Sequence, residues 1–361
     1  MGLHTSIDPQ IDLLRYLSPE GVPLGGALPV DDETLETLYR AMTRTRVFDG
    51  KAIALQRTGQ LGTFASALGQ EAVGVGVASA METRDVLVPS YRDHGAQFIR
   101  GMSMTECLLY WGGDERGSDF QAPRQDFPNC VPVATQIAHA VGAAYAFKVR
   151  REERVAVTFV GDGGTANGAF YEALNMAGVW NAPVVILINN NGWAISTPRS
   201  LESAAQTLAQ KGVAAGVECR QVDGNDVAAV YDIARRAVAK ARAGEGPTLI
   251  EALTYRLGDH TTADDATRYR DPDVVRREWT REPIARLRAY LIEKGLWSKD
   301  KEAALLKQCG EEVENAVTAY LGTPAQSSDA MFDYLYETLP TSLVEQRDCA
   351  RRYSNKANGH G

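Results

Sequence analysis

The sequence has no CxxC pair and no regular cysteine spacing. Its five cysteines, Cys107, Cys130, Cys219, Cys309 and Cys349, are odd in number and lie far apart. That excludes a disulfide scaffold and reads as reduced thiols in a cytoplasmic compartment. Long apolar runs are missing as well. The longest strings are short, such as the one from Val184 to Ile188, so no segment is expected to span a membrane. The first 20 residues carry Asp8, Asp12 and Glu20 and no apolar stretch, so no secretory signal is read there. Met1 to Ser6 satisfies a myristoylation pattern, one short enough to arise by chance. An excess of positive charge is also absent. Lys and Arg total 38 against 46 Asp and Glu, a net charge of −8 at pH 7. This argues against general nucleic-acid or anionic-membrane binding and leaves room for a local basic pocket.

What is present is ordinary globular usage: 361 residues, 44% hydrophobic and 23% charged. That length buries a sizeable core in one large or two ordinary domains. Residues 1–30, with Pro9, Pro19, Pro23, Pro29 and Gly25-Gly26, read as an N-terminal arm. Residues 31–57 read as a helix, with Asp31 or Asp32 as cap and Leu35, Leu38, Met42 and Thr45 on one face. A helix of small residues is expected over 69–82, a short strand at Val86–Pro89, and helix again to about residue 110. Residues 112–132 read as one long loop. From residue 133 the pattern alternates. Helices over 134–148, 168–180 and 226–243 separate strands at 155–160, 184–188, 217–222 and 248–255. The strand at 155–160 is apolar on both faces, as inside a parallel sheet. The expected fold is α/β, a doubly wound parallel sheet with helices on both faces. Residues 273–320 read as helical, with Ile284, Leu287 and Leu291 as a stripe. The expected organisation is an arm at 1–30, one domain at 31–322 and a polar, partly ordered tail at 323–361.

Two strand ends carry the chemistry. The strand ending at Val160 runs into Gly161-Asp162-Gly163-Gly164-Thr165-Ala166-Asn167-Gly168. The strand ending at Ile188 runs into Asn189-Asn190-Asn191-Gly192-Trp193. In open α/β sheets, ligands sit outside the carboxyl ends of strands. Asp162 and Asn191 lie about one βαβ unit apart. On neighbouring strands they would be about 5–10 Å apart, close enough to share one ion. A carboxylate, an amide oxygen and a backbone carbonyl suit Mg²⁺, which completes its octahedron with phosphate and water. The glycines beside Asp162 let the backbone approach a diphosphate, and the helix starting near Asn167 points free N–H groups at the same place.

A dinucleotide fingerprint is the rival reading, since Gly161, Gly163 and Ala166 satisfy G-x-G-x-x-A. Asp162 would then repel a bare pyrophosphate, and the next strand lacks the acidic residue that holds a ribose. In the blandest reading Asp162 caps a helix and the asparagines make a turn. Each fragment alone fits that; the pair at this spacing fits it poorly.

The stretch GDGGTANGAFYEALNMAGVWNAPVVILINNNGWAISTP resembles the motif of thiamine-diphosphate enzymes. It is similar to the α subunit of the E1 component of 2-oxo acid dehydrogenase complexes, pyruvate and branched-chain types alike. GQEA at 69–72, YRDHG at 91–95, ATQ at 134–136, VDGND at 222–226, GPTLIEALTYR at 246–256 and DHTTADDATRYR at 259–270 extend the resemblance over most of the chain. It implies thiamine diphosphate and Mg²⁺ as cofactors. Asp162 and Asn191 match the metal ligands. Trp193 matches the position that gives a backbone carbonyl, where the family more often has Tyr. Gly163 and Gly164 match the diphosphate turn, and Tyr91 and Arg92 a diphosphate-binding pair. Val131 and Val133 match positions that line the cofactor rings, and Arg256 a further phosphate-side arginine. Asn189 departs from the branched-chain pattern, where a basic residue precedes the Asn pair. His260 matches the active-site histidine on a mobile loop, where a near-neutral pKa would suit proton transfer.

Thr261 falls where mammalian relatives carry a regulatory phosphoserine, from which no kinase is inferred. His94 is expected to orient its loop, His139 to pack or face solvent, and Glu172 to be structural. The resemblance further implies an α₂β₂ heterotetramer with an E1 β subunit, which supplies the glutamate that contacts the pyrimidine. It also implies an E2 partner whose lipoyl domain takes the acyl group from the 2-oxo acid. Pyruvate is preferred as substrate, with branched-chain and acetoin types as alternatives. A nicotinamide oxidoreductase and a non-catalytic scaffold stand as readings of other classes.

Overall fold

The sheet grows from strands whose residues alternate between two apolar faces. In the computed structural model, which describes residues 11–357 and side chains through 353, β1 (Leu13–Leu14), β2 (Val86–Val88), β3 (Ala156–Gly161), β4 (Val184–Asn190), β7 (Glu218–Asp223) and β8 (Thr248–Leu253) form one sheet. A short antiparallel pair, β5 (Trp193–Ala194) and β6 (Thr197–Pro198), lies outside it. The sheet order is β1-β7-β8-β4-β3-β2, and every neighbouring pair is parallel. Val184, Ile186 and Ile188 face one core with Ala156 and Val160. Val185 and Leu187 face the other with Val157 and Phe159. This two-sided burial is what a fully parallel sheet demands.

Helices cover both faces. α1 is Asp32–Arg57, α2 Glu71–Ser79, α3 His94–Arg100, α4 Met104–Trp111, α5 Thr135–Arg150, α6 Gly168–Val179, α7 Arg199–Glu202 and α8 Val227–Arg242. α5 and α6 pack on the first face through Ile137, Ala140, Ala144, Phe170 and Leu174. α2 and α8 pack on the second through Val73, Val77, Ala229 and Ile233. The small residues of α2 and α5 let these helices lie close to their neighbours. A third cluster joins α1 to α10 (Pro283–Glu293) and α11 (Lys299–Leu321). It holds Leu35, Leu38 and Met42 of α1 and the stripe Ile284, Leu287 and Leu291 of α10.

The predicted elements recur, with several differences. Asp31 does cap α1, accepting from the Thr34 N–H at 2.8 Å. β4 runs on to Asn190, so two of the three asparagines sit in the strand. The stretch after residue 94 is two helices. Gly101, at φ +112°, ends α3, and a Ser103–Glu106 capping box starts α4. Residues 273–320 are likewise broken, into α9 (Pro272–Trp279), α10 and α11. Pro283 and Gly295 sit at the breaks, where one ring lacks an N–H and the other residue takes a positive φ. The arm contributes a sixth strand, β1, too short to carry a periodic signal. The tail holds α12 (Ala330–Asp333) and α13 (Thr341–Ala357). Within it Arg351 Nε reaches Asp329 at 2.6 Å. The chain divides into two compact units, Met1–Ala316 and Val317–Gly361. The myristoylation pattern lies outside the described residues. Among those, no helix is long and apolar enough to cross a membrane.

Candidate active site

Strand register brings the two motif ends together. Gly161 pairs with Asn189 across β3 and β4, so Asp162 and Asn191 leave adjacent strands at the carboxyl edge. Both line a cavity of about 560 Å³.

Asp162 is buried, 1% exposed. Its Oδ1 accepts from the Gly163 N–H at 3.1 Å and caps a one-turn 3₁₀ helix, Gly163–Ala166. The capping role of the bland reading is therefore present, yet it uses one oxygen. Oδ2 is buried and has no hydrogen-bond partner. Burial, then the nearby Glu202 carboxylate, pushes the Asp162 pKa up to about 7. A buried carboxylate with an unsatisfied oxygen is costly unless a cation meets it.

Asn191 is positioned through both ends of its amide. Nδ2 donates to Gln70 Oε1 at 2.9 Å. Oδ1 accepts from the Trp193 N–H at 3.2 Å and keeps a second lone pair. Gly192, at φ +86°, makes the reversal that returns Trp193 toward Asn191. The β5–β6 hairpin then lies against the motif turn. A Cβ on Gly163 would come within 2.4 Å of Ala194 Cβ, and one on Gly164 within 2.4 Å of Val160 Cγ2. Gly163 is needed for the hairpin's approach, and Gly164 for the packing of the turn on Val160. Glu202 holds the hairpin by accepting from the Ala194 N–H at 2.8 Å. Its other oxygen is buried and unpartnered.

The opposite wall is cationic. Arg92 Nη1 donates to the Ser66 carbonyl at 2.5 Å. Its Nη2 donates to the His260 carbonyl at 2.9 Å and reaches His260 Nδ1 at 3.2 Å. Arg256 Nη1 reaches the same Nδ1 at 3.4 Å. Guanidinium groups only donate, so Nδ1 accepts and the imidazole proton belongs on Nε2. Burial, followed by Arg92 and Arg256, lowers the His260 pKa to about 4. The near-neutral value expected from sequence is thus corrected: His260 is a neutral imidazole at pH 7. Its backbone N–H donates to Asp264 at 2.9 Å, and Asp264 also accepts from the Tyr269 hydroxyl. Neither Arg92 nor Arg256 has an ion-pair partner among the described residues. Of the two, Arg92 lines the cavity, a guanidinium there without a carboxylate partner.

All the sequence-chosen residues line this cavity except one. Tyr91, Arg92, Val131, Val133, Asp162, Gly163, Gly164, Asn191, Trp193 and His260 do so; Arg256 does not. Arg256 is 1% exposed and lies behind the β5 turn. It donates to the Ile195 carbonyl at 2.7 Å, the Tyr269 hydroxyl at 2.9 Å and the Trp193 carbonyl at 3.4 Å. Its donors serve backbone carbonyls and the Tyr269 and His260 side chains, so it orders the wall. His94 does not face the site. It is buried, with Nε2 3.1 Å from Asp49 Oδ1, and Asp49 also holds Ser66, whose carbonyl anchors Arg92. His139 is exposed beside Phe127 and Glu172 is exposed on α6.

Some cavity residues had no assigned role in the sequence. Gln70 orients Asn191, and the GQEA motif was its only signal. Gln136, from ATQ, donates to the Phe159 carbonyl at 2.6 Å and leaves Oε1 unpartnered. Trp111 and Cys130 line the cavity from the two ends of the 112–132 loop. Ala134 (φ 69°) and Ile195 (φ 56°) also line it, in a backbone region that side chains rarely adopt. Among the described residues, no three His, Cys, Asp or Glu side chains gather to hold a metal. Any ion here depends on amide, carbonyl and ligand oxygens beside Asp162.

Comparison with known proteins agrees with this geometry. The chain matches the Dehydrogenase E1 component family over residues 39–326. It is 39% identical over 350 residues to the pyruvate dehydrogenase E1 component subunit alpha of Staphylococcus aureus (strain Mu50), covering 96% of this chain and 95% of that protein. The protein of the same description from Staphylococcus epidermidis (strain ATCC 12228) is 37% identical, with the same coverage. An acidic residue at the motif centre and full-length similarity leave no room for the nicotinamide reading: the chain belongs to the dehydrogenase E1 component family.

Proposed function

We propose that this chain is the α subunit of a thiamine-diphosphate-dependent E1 enzyme that oxidatively decarboxylates pyruvate and passes the acetyl group to a lipoyl arm. One observation carries the reading. Asp162 presents a buried, unpartnered carboxylate oxygen beside Asn191 at two adjacent strand ends, in a cavity that the Arg92 guanidinium also lines without an ion-pair partner. That arrangement fits a divalent cation bridging to a diphosphate.

The donors suit Mg²⁺. Asp162 Oδ2, Asn191 Oδ1 and the Trp193 carbonyl are hard oxygens, and phosphate and water would complete the shell. Gly163 and Gly164 would admit the diphosphate, with Tyr91 and Arg92 across from them. The exposed apolar surface of Val131 and Val133 would receive the cofactor rings. Thiamine diphosphate, when bound, supplies the nucleophilic carbon and the electron sink for decarboxylation. The chain's own part is to hold and place. His260 keeps a proton on Nε2, placed to donate a hydrogen bond to an oxygen of the reacting 2-oxo acid. Arg92 and Arg256 fix that tautomer and add positive charge where the substrate is an anion.

The site is half of an enclosure. Val131, Val133 and Ile195 are each more than half exposed beside the cavity. A β subunit covering this rim would complete the pocket in an α₂β₂ assembly, with a lipoyl-bearing E2 as acceptor. Five unpaired thiols suit a cytoplasmic enzyme.

The test is reconstitution with the β chain. Pyruvate turnover requiring thiamine diphosphate and Mg²⁺, and exceeding that of 2-oxoisovalerate, is the expected result. Asp162→Ala should abolish metal-dependent cofactor binding in calorimetry. Unchanged affinity in that variant would refute the metal assignment, and preference for 2-oxoisovalerate would refute pyruvate.

A further inference from the structure

Lys211 is a buried lysine without a direct ion pair, the Glu202 carboxylate interacting with it only at longer range. Lys211 is 8% exposed and forms no ion pair among the described residues. Burying an ammonium without a counter-charge is unfavourable by several kcal/mol in an ordinary core. Its contacts all lead to the motif turn. Nζ donates to the Thr165 carbonyl at 2.8 Å and to Thr165 Oγ1 at 2.9 Å. Thr165 Oγ1 in turn donates to the Asp162 carbonyl at 2.7 Å. The ammonium also sits 5.2 Å from the centre of the Tyr171 ring and 6.0 Å from that of Phe170, on the first turn of α6.

We propose that Lys211 is a positioning residue that fixes the Asp162–Ala166 turn and places a permanent positive charge beneath a bound diphosphate. The inference rests on the functional reading above and adds a residue to it. Two observations converge. First, the donor chain from Nζ through Thr165 Oγ1 to the Asp162 carbonyl holds the backbone of the proposed metal ligand. Second, the missing direct counter-charge comes from the ligand: a diphosphate above the turn is the close anion this buried cation lacks. Its field already reaches the site, since Lys211 and Arg199 oppose the burial that raises the Glu202 pKa. Hydrogen bonds to a charged group are worth about 1.5–3 kcal/mol, so loss of Lys211 should weaken diphosphate binding about 10- to 100-fold.

The experiment compares two probes on the assembled α/β enzyme by calorimetry: thiamine diphosphate with Mg²⁺, and thiamine, which has the rings without the phosphates. In Lys211→Met, affinity for thiamine diphosphate should fall about 10- to 100-fold while that for thiamine stays put. Lys211→Arg should recover part of the diphosphate affinity. A merely structural lysine would lower both affinities alike, or only the melting temperature, and either result overturns the proposal. Should Lys211→Met fail to fold, Thr165→Val decides, because it removes the relay hydroxyl and keeps the lysine. A selective loss for the diphosphate supports the role, and an unchanged ratio overturns it. If the wild-type assembly binds no thiamine diphosphate, the functional reading falls and this inference with it.

Discussion

His260 sits between two cations and accepts from both, which fixes its tautomer. With Nδ1 engaged by Arg92 and Arg256, the ring is neutral and its Nε2–H is the group that can act. Because burial and the arginines take its pKa down to about 4, its titration should leave no inflection in turnover between about pH 5.5 and 8. A ¹⁵N NMR titration showing protonated imidazolium at pH 6.5 would contradict that. The same shift makes His260 a stability sensor with a defined sign. The unfolded chain takes up the proton first, so stability is full above the ordinary histidine pKa and is lost as pH falls toward 4. His260→Ala should keep cofactor affinity near normal and lower acylation of the lipoyl domain by about 10²–10³, the range for losing one hydrogen-bond donor to developing charge. Normal acylation in that assay would remove the residue from the mechanism. At this scale the motifs disclosed Asp162, Asn191 and the glycines, because local sequence sets a strand-end turn. The histidine's neutrality was not legible. It depends on Arg92, 168 residues away in sequence, and on burial that only the fold creates.

Between elements, side chains of loop residues do the joining. Asp226 caps α8 by accepting from the Ala229 N–H, and it also accepts from the Tyr16 and Leu17 N–H groups at 2.7 Å each. One carboxylate thus starts a helix and pins the arm that delivers β1. Asp226→Ala should destabilise the protein by about 2–4 kcal/mol, from a lost cap and two stranded donors. Urea unfolding reads this, and a change below about 0.5 kcal/mol, the scale of a neutral surface substitution, would contradict the account. The β5–β6 hairpin is joined to the motif turn by the absence of a side chain. Gly163→Ala would drive a methyl into Ala194 and should impair thiamine diphosphate binding in calorimetry while the β3–β4 pairing survives. Full affinity in that variant would show that the hairpin gives way freely. Strand–helix alternation from residue 133 onward was readable chiefly because the buried parallel strands β3 and β4 are apolar runs. β1 was not, since two residues carry no period and its pairing with Gln221 and Val222 is entirely non-local. The breaks at Gly101 and Gly295 were passed over because an apolar period can continue across a turn.

As a whole molecule, the chain is an open sheet with its chemistry gathered at one edge and left uncovered there. β3 and β4 deliver a carboxylate and an amide, α6 begins beneath them, and the 258–271 segment brings His260 across. Val131 and Val133 stay exposed at the rim, and the proposed β chain would supply the rest of the pocket, which is why the sequence alone left the substrate unresolved. Its assembly is accordingly expected to sediment as an α₂β₂ heterotetramer when the β chain is co-expressed. A lone α chain that turned over pyruvate would contradict that view. One ion between Asp162 and Asn191 is the centre of the proposed site. The direct measurement is anomalous diffraction from the α/β assembly grown with Mn²⁺ and thiamine diphosphate. A single manganese peak within bonding distance of Asp162 Oδ2, Asn191 Oδ1 and the Trp193 carbonyl is the expected result. A peak elsewhere, or a bound diphosphate with no metal between it and Asp162, would contradict the account.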